Sequence, residues 1–243
     1  MTVMPDRITS KSNPRIKALC AEKPEPTPER FFIEGKHLVD MAYEHGCLLE
    51  VFAVAEVSYP GVKITYVSED VLKKLAFSPS PSGLVGIAKS PKVEPKGKRA
   101  LLLDRVQDPG NVGTILRTAL AFGFDEIVLT PGTASPFGNK VIAASQGAVF
   151  SLAITEKEGV SAVKDLQKRG FYVLASALHD ATNLSSVSVP DGPLCLVLGN
   201  EGQGISAAVL DCCDASAFIE MEGIDSLNVG VAGGILMYNL KSL

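Results

Sequence analysis

The chain has 243 residues, of which 46% are hydrophobic and 21% are charged, and its formal net charge at pH 7 is −4. This length suffices for one large domain or two modest ones. No apolar run is long enough to span a bilayer and no signal-peptide pattern opens the chain, which predicts a cytoplasmic protein without a membrane segment.

The cysteines and histidines give no metal-binding pattern. The five cysteines include no CxxC pair, and two of them, Cys212 and Cys213, are adjacent. The three histidines are scattered along the chain without neighbouring ligands. The sequence therefore predicts neither a disulfide framework nor a metal site.

Charge is distributed unevenly along the chain. Residues 1–99 contain 15 Lys/Arg and 12 Asp/Glu, whereas residues 100–243 contain 8 and 15. A basic amino-terminal part on an acidic protein indicates a polyanionic partner that contacts this part only. A solvated helix face would give the same pattern, and charge alone does not separate the two.

The first 90 residues alternate between apolar strands and short helices. The pattern predicts strands over 31–35, 48–54, 62–67 and 82–89, and helices over 14–20, 36–45 and 68–75, the last capped by Ser68. The stretch SPKVEPKGKR (90–99) has two prolines, a glycine and alternating charge, which is typical of a linker. We therefore predict a small α/β domain over 1–90 and a linker over 91–99.

Residues 100–243 follow a regular βα alternation. The pattern predicts strands over 100–103, 126–130, 149–153, 172–176, 194–198 and 217–220, and helices over 112–122, 160–169 and 227–240. Continuous apolar strands indicate a parallel sheet that helices cover on both faces. Ligands of such sheets bind beyond the carboxyl ends of the strands.

The first of three Gly/Asn/Asp-rich turns lies within 101–129. Asp108-Pro109-Gly110 is a turn sequence, and Asn111 is the predicted N-cap of the helix that follows. Arg117 lies off the apolar stripe of this helix, on its flank or towards solvent. Such an arginine is often a plain surface residue, but its place near a helix N-terminus favours anion binding.

The second turn, LGNEGQGI (198–205), follows a buried strand. Its glycine order, G-x-x-G-x-G, differs from the dinucleotide and P-loop motifs. Because a carboxylate repels phosphate, Glu201 favours a ligand with hydroxyl groups or positive charge. A nicotinamide-nucleotide site remains an alternative, since Glu220 follows about 20 residues later.

The third turn opens a helix that contains Gly230, Gly233 and Gly234. Each glycine costs about 1 kcal/mol relative to alanine in a helix interior, so close packing is expected to compensate. The packing partner is a helix of a second subunit or an element of the same chain. Ser226 is the predicted N-cap, with Asn228 in the first turn.

Together, the three motifs resemble those of the SpoU/TrmH group of SPOUT RNA methyltransferases. They are PGNVGTILR (109–117), LGNEGQGI (198–205) and IEMEGIDSLNVGVAGGIL (219–236), and the resemblance covers residues 100–243. In addition, SKSNPRIKAL (10–19) and FFIEGKHLVD (31–40) resemble that group's L30e-like RNA-binding domain.

The resemblance implies an α/β methyltransferase domain over 100–243 with a mostly parallel sheet, a carboxyl-terminal trefoil knot and a homodimer formed through this domain. It also implies methyl transfer from S-adenosylmethionine to a ribose 2′-hydroxyl of structured RNA. Ribosomal RNA is the expected substrate. One alternative is that the substrate is transfer RNA. The other is that the protein binds RNA with the same fold but does not catalyse methyl transfer.

The resemblance also assigns roles to individual residues. The expected cofactor-binding residues are Leu198, Gly199, Glu201, Ile219, Met221, Ser226 and Leu227. The expected catalytic residues are Asn111, Arg117, Glu201, Ser226 and Asn228. The expected RNA-binding residues are Lys11, Arg15, Lys17 and Lys36. Because guanidinium stays protonated, Arg117 is expected to hold a phosphate or stabilise the alkoxide, oriented by Asn111 and Ser226.

Two positions depart from the family pattern. Gly230 stands where the family usually has Ser or Ala, and Ala143 stands where the pattern K-V-x-R-A-S-x-G-A has arginine. The second departure bears on RNA positioning or substrate choice.

Overall fold

The computed structural model describes residues 7–178 and 180–240. The predictions for His179, for residues 1–6 and for residues 241–243 lie outside the described part of the chain. No helix within the described residues is long and apolar enough to cross a membrane.

The amino-terminal part forms a five-stranded sheet and, within the described residues, three helices. Its elements are β1 (Arg7–Ile8), α1 (Pro14–Glu22), β2 (Phe31–Glu34), α2 (Lys36–Glu44), β3 (Leu48–Ala53), β4 (Lys63–Val67), α3 (Glu69–Leu75) and β5 (Leu84–Ala88). The strand order is β1-β4-β3-β5-β2. Strands β1, β4 and β3 are parallel, whereas β5 runs antiparallel to β3 and β2.

The predicted elements of this part are all present, with ends within two residues of the prediction. The short strand β1 is additional. Ser68 caps α3 as expected, because its hydroxyl accepts a hydrogen bond from the backbone N–H of Val71 at 3.3 Å.

The second part forms a seven-stranded sheet flanked by helices. Its elements are β6 (Arg99–Asp104), α4 (Pro109–Ala121), β7 (Glu126–Leu129), α5 (Asn139–Ser145), β8 (Ala153–Glu156), α6 (Gly159–Lys168), β9 (Tyr172–Ser176), β10 (Thr182–Asn183), β11 (Leu194–Gly199), α7 (Ala207–Leu210), β12 (Ala215–Phe218) and α8 (Val229–Leu240). The strand order is β10-β12-β9-β11-β6-β7-β8, and each recorded pairing is parallel. The predicted α/β fold with a mostly parallel sheet is confirmed.

The two faces of this sheet bury different sets of side chains. On one face, Leu101 and Leu103 of β6 pack in a cluster with α4, α5 and α8. On the other face, Ala100 and Leu102 pack in a cluster with α6 and α7. This alternation follows from the period of two along a strand, and it explains why the strands are apolar on both sides.

The predicted strand over 149–153 is wrong. Residues Ala148–Phe150 form a short 3-10 helix, and β8 begins at Ala153. Phe150 stacks on Phe31 of β2, with 6.1 Å between the ring centroids. The apolar run therefore packs the second part of the chain against the first, a role that hydrophobic pattern cannot distinguish from a buried strand.

Both predicted N-caps near the sheet edge are also wrong. Helix α4 begins two residues earlier than Asn111, and the Asp108 carboxylate accepts the N–H of Asn111 at 2.9 Å. At α8, the Asn228 Oδ1 accepts the N–H groups of Gly230 and Val231 at 2.9 and 3.3 Å, so Asn228 caps in place of Ser226. The side chain of Asn111 is thereby available for other contacts.

Candidate active site

The turns that follow β6 and β11 lie side by side, because these strands are parallel neighbours. Gly199 at the end of β11 is in register with Asp104 at the end of β6. Asp104 is 3% exposed, and its carboxylate accepts the backbone N–H of Ser206 at 2.7 Å and the Thr130 hydroxyl at 3.1 Å. This buried carboxylate fixes the second turn against the first.

The second turn closes on itself in a way that requires glycine at position 199. Asn200 and Gly204 exchange two backbone hydrogen bonds of 3.0 and 2.9 Å. A Cβ on Gly199 would lie 2.2 Å from the backbone nitrogen of Ile205, well inside contact distance. The chain can therefore return past β11 only if residue 199 has no side chain.

A cavity of about 530 Å³ opens between this turn and the segment that leads into α8. The structure brings all seven residues expected to bind the cofactor to its walls: Leu198, Gly199, Glu201, Ile219, Met221, Ser226 and Leu227. Its volume is in the range of small-molecule sites, which are mostly apolar with a few polar groups.

The charged residues that line the cavity are acidic. They are Glu201 and Asp225, and none of the described lining residues is a lysine or arginine. A site of this sign repels the phosphates of a dinucleotide and attracts a cationic ligand. The cavity thus disfavours the nicotinamide alternative.

A chain of side-chain hydrogen bonds joins the three sequence motifs beside this cavity. Asn111 Nδ2 donates to Glu201 Oε1 at 3.0 Å, and Asn111 Oδ1 accepts from Asn228 Nδ2 at 2.8 Å. Since Asn228 Oδ1 also caps α8, both amides are held in one orientation. The polar cluster is thus fixed by the beginnings of two helices.

The Glu201 carboxylate is held in its ionised form. It accepts the backbone N–H groups of Gln107 and Asp108 at 3.2 and 3.1 Å, as well as the Asn111 amide. Burial alone would raise its pKa, but these hydrogen bonds together lower the pKa of Glu201 below its ordinary value. A carboxylate of this kind is a weak base and a good anchor.

Arg117 lies apart from this cluster. It is six residues after Asn111, which puts the two side chains about 120° apart around α4. The Arg117 side chain is exposed, as expected, and has no hydrogen-bond or ion-pair partner among the described residues. Within one chain the structure therefore shows no contact between Asn111 and Arg117, and the expectation that Asn111 and Ser226 orient Arg117 stays a prediction.

Comparison with known proteins identifies the family. The model of the SpoU rRNA Methylase family matches residues 98–238, which include all three motifs. The chain belongs to the SpoU rRNA methylase family. The family predicted from the motifs is confirmed.

The similarity of this SpoU methylase to its relatives extends over nearly its whole length. The 23S rRNA (guanosine(2553)-2′-O)-methyltransferase RlmP of Bacillus subtilis is 32% identical over 97% of this chain and 99% of its own. The crystal structure of an rRNA methyltransferase from Sinorhizobium meliloti aligns with a TM-score of 0.87 and 28% identity over 96% of each chain. An AdoMet-bound rRNA methyltransferase structure from that organism aligns with a TM-score of 0.83, 27% identity and 96% coverage of each chain.

The glycines of α8 in this SpoU methylase face its own chain. A Cβ on Gly233 would lie 2.7 Å from Leu198 Cδ1 of β11, and one on Gly234 would lie 3.7 Å from Thr118 Cγ2 of α4. The close packing that was expected thus occurs within one subunit. The small residues by themselves no longer argue for a subunit interface.

The expected RNA-binding residues of the methylase differ in whether they already form ion pairs within the protein. Arg15 pairs with Glu50, which is 6% exposed, and donates to the Thr65 hydroxyl at 3.2 Å. Because it neutralises a buried carboxylate, the Arg15 guanidinium is already bound within the protein. Lys11 and Lys36 form surface pairs with aspartates, which leave them largely solvated, and Lys17 is exposed.

Sequence reasoning missed two polar residues that build the site. Asp104 ends the apolar run LLLD, and a carboxylate in that place on a buried strand is the signal that could have revealed it. Asn200 donates through Nδ2 to the carbonyl oxygen of Arg105 at 2.8 Å, and its Oδ1 accepts two N–H groups of the turn. It thereby ties the second turn to the end of β6.

Proposed function

We propose that this protein transfers a methyl group from S-adenosylmethionine to a ribose 2′-hydroxyl of ribosomal RNA. The hydrogen-bond chain from Glu201 through Asn111 to Asn228, beside the acidic cavity, is the observation that carries the proposal. The family, and the names of the aligned relatives, support this activity.

The cavity fits S-adenosylmethionine in size and in charge. Leu198, Ile219, Met221 and Leu227 supply an apolar wall for the adenine, and Gly199, which has no side chain, brings the backbone to the wall of the cavity. When bound, the cofactor supplies an electrophilic methyl group on a positively charged sulfonium. The carboxylates of Glu201 and Asp225 favour that positive charge.

Arg117 is proposed to bind the RNA phosphate or to stabilise the ribose oxygen as it loses its proton. Its guanidinium remains protonated and presents a fork of donors that suits phosphate. Glu201 is not suited to take the proton, because its oxygens already accept three hydrogen bonds and its pKa is lowered. Alignment of the hydroxyl with the methyl group then supplies much of the catalysis.

We further propose that the protein acts as a homodimer in which Arg117 serves the cavity of the partner subunit. Arg117 does not reach the polar cluster of its own chain, as described above. Exposed apolar side chains on the adjoining helices α4 and α8 support an interface there: Leu120, Val231 and Tyr238 are 38%, 52% and 56% exposed.

The remaining parts of the proposal concern RNA and chain organisation. Residues 1–90 are proposed as the L30e-like RNA-binding domain, residues 91–99 as the linker and residues 100–243 as the methyltransferase domain with a trefoil knot. The location is proposed to be the cytoplasm. Ribosomal RNA is preferred over transfer RNA because relatives of nearly full length, from Bacillus subtilis and Sinorhizobium meliloti, are named for rRNA.

Calorimetry and isotope transfer test this function in two steps. We expect S-adenosylmethionine to bind with a one-to-one stoichiometry per chain, and NADH to give no heat. We then expect tritium from the labelled methyl group to enter unmodified ribosomal RNA. Cofactor binding without transfer to any RNA would favour the alternative of a catalytically silent RNA-binding protein.

A further inference from the structure

A second cavity lies away from the cofactor site, where the two parts of the chain meet. It has two compartments of about 420 and 360 Å³, which share Phe32, Phe77 and Asn139 as lining residues. Phe32 belongs to β2, Phe77 follows α3, and Asn139 begins α5. We call this space the interlobe cleft.

The walls of the interlobe cleft combine aromatic rings with polar groups. Phe32 and Phe137 are 4% and 7% exposed and form its floor, whereas Phe77 is half-buried. At the rim, Asn139 is exposed, and its side-chain amide has no hydrogen-bond partner within the described part of the chain. A nucleobase suits these walls, because its apolar faces can stack on the aromatic rings and its polar edge can bind the amide at the rim.

Positive charge accompanies the aromatic floor. The Lys23 Nζ lies 4.7 Å from the centroid of the Phe77 ring and donates to the carbonyl oxygen of Ala76 at 2.7 Å. Lys140, next to Asn139, is exposed and has no ion-pair partner among the residues described. Lys23 thus places a cation against the aromatic surface, and Lys140 adds a second positive charge next to the rim residue Asn139. Positive charge near an aromatic surface suits a base and its neighbouring phosphate.

The Phe77 ring is positioned before any ligand arrives. The Glu34 carboxylate, which lines one compartment, accepts the N–H groups of Phe77 and Ser78 at 2.6 and 3.0 Å and also the Ser78 hydroxyl. These bonds fix the backbone at Phe77. They also direct the carboxylate oxygens towards N–H groups of the protein.

The helix that carries Arg117 packs on a different face of α5 from the face that lines the cleft. A Cβ on Gly113 of α4 would lie 2.4 Å from the Cβ of Ala144 on α5, so the two helices touch at this point. Arg117 is one turn after Gly113 and shares that side of α4. Asn139, Ile142 and Ala143 of α5 line the cleft, so α5 lies between the cleft and Arg117.

We propose that the interlobe cleft binds an unpaired nucleobase of the substrate RNA, stacked on Phe77. Asn139 hydrogen-bonds the edge of the base, and Lys23 and Lys140 face the adjacent phosphate. This proposal rests on the proposed function, because it takes RNA as the substrate. Ala143, where the family resemblance expects arginine, lines one compartment, and its small side chain leaves room for the base.

Filter binding of an unmodified ribosomal RNA transcript tests the proposal. We expect Phe77→Ala to raise the Kd for the transcript about 10-fold, because it removes the stacking surface. Phe77→Tyr keeps the ring and should stay within about two-fold of the wild type. Affinity for S-adenosylmethionine, measured by calorimetry, should be unchanged in both variants and shows that they are folded.

A matched pair of lysine variants keeps the test decisive if Phe77→Ala does not fold. Lys140→Ala should weaken binding of the transcript and reduce the slope of log Kd against log salt by about one. Lys164→Ala removes the same charge from α6, on the opposite face of the sheet, and should do neither.

The outcomes separate this proposal from the proposed function. If the wild type methylates the transcript but neither Phe77→Ala nor Lys140→Ala changes its affinity, the cleft proposal is overturned and the function stands. If the wild type transfers no methyl group to RNA but its affinity depends on Phe77, the function is overturned and the cleft is supported.

Discussion

The side-chain amide of Asn228 donates a hydrogen bond of 2.8 Å to the Asn111 Oδ1, which is 117 positions away in the sequence. This contact links the start of α8 to the start of α4 beside the cavity. Asn111 in turn donates to Glu201, so one amide relays between the second and third motifs. The relay holds the polar cluster rigid before substrates bind, which is how a positioning site contributes to rate.

Substitution of Asn228 separates its capping role from its role in the relay. Asn228→Ala removes the cap of α8 and should lower the free energy of unfolding by about 1 kcal/mol. Asn228→Asp keeps an acceptor for the N–H groups of Gly230 and Val231 but loses the donor to Asn111. We expect Asp to retain the wild-type Tm while methyl transfer falls about 100-fold in both variants. An Asp variant with wild-type turnover would show that the relay is unimportant.

The ionised state of Glu201 gives a pH-dependent contribution to stability. Its pKa is lower in the folded protein than its ordinary value of 4.5, so the contribution is complete above about pH 5 and is lost as the pH falls through the folded pKa. We therefore expect the Tm difference between wild type and Glu201→Gln to be constant from about pH 5 to 8 and to shrink in more acidic buffer. A difference that grows in acid would contradict the assigned ionisation.

Glycine is required at 199 but not at 202, which gives a matched pair. Gly199→Ala drives a Cβ into the backbone of the returning turn and should cost at least about 2 kcal/mol of stability and the affinity for S-adenosylmethionine. At Gly202 the nearest atom to an added Cβ is the Asn200 Oδ1 at 3.8 Å. Gly202→Ala should therefore fold and bind the cofactor like the wild type in melting and calorimetry experiments.

Arg117→Ala should bind S-adenosylmethionine normally, whereas its rate of methyl transfer should fall by about 10²–10³-fold.

Mixed dimers then test whether Arg117 acts on the partner subunit. Met221→Arg introduces a cation into the acidic cavity and should block cofactor binding. Each variant alone should be inactive, but refolding the two together should restore about a quarter of wild-type activity, through one intact site in each mixed dimer. No recovery would place Arg117 and its cavity in the same chain.

Much of the fold could be predicted from the sequence, because hydrophobic period and turn residues act locally. The strand predicted over 149–153 failed because tertiary packing decided the outcome, whereas the N-cap predicted at Asn111 failed for a local reason. Val149 and Phe150 are apolar because they pack between the two parts of the chain, and they do not form a strand. Asp108 and Asn111 are both residue types that favour the N-cap of α4. Proline is preferred at the first helical position, so Pro109 indicates that Asp108 is the N-cap.

The candidate site shows the same division. The residues that surround the cavity could be predicted because the three motifs resemble those of a known family, and the glycine-rich turns at strand ends indicated where the cavity lies. The contact between Asn111 and Asn228, and the separation of Arg117 from both, depend on how two distant helices pack. Single-sequence patterns carry no signal for such contacts, and for the same reason the packing of Gly233 against Leu198 could not be foreseen.

Nucleoside analysis of methylated RNA tests the central claim most directly. Unmodified ribosomal RNA would be incubated with the protein and S-adenosylmethionine labelled in the methyl group, then hydrolysed in alkali. Because alkaline cleavage needs a free 2′-hydroxyl, a 2′-O-methylated residue survives within a dinucleotide. We predict that the label is found in one alkali-resistant dinucleotide and that Arg117→Ala abolishes it. Label in alkali-sensitive mononucleotides, which would place the methyl group on a base, would contradict the account.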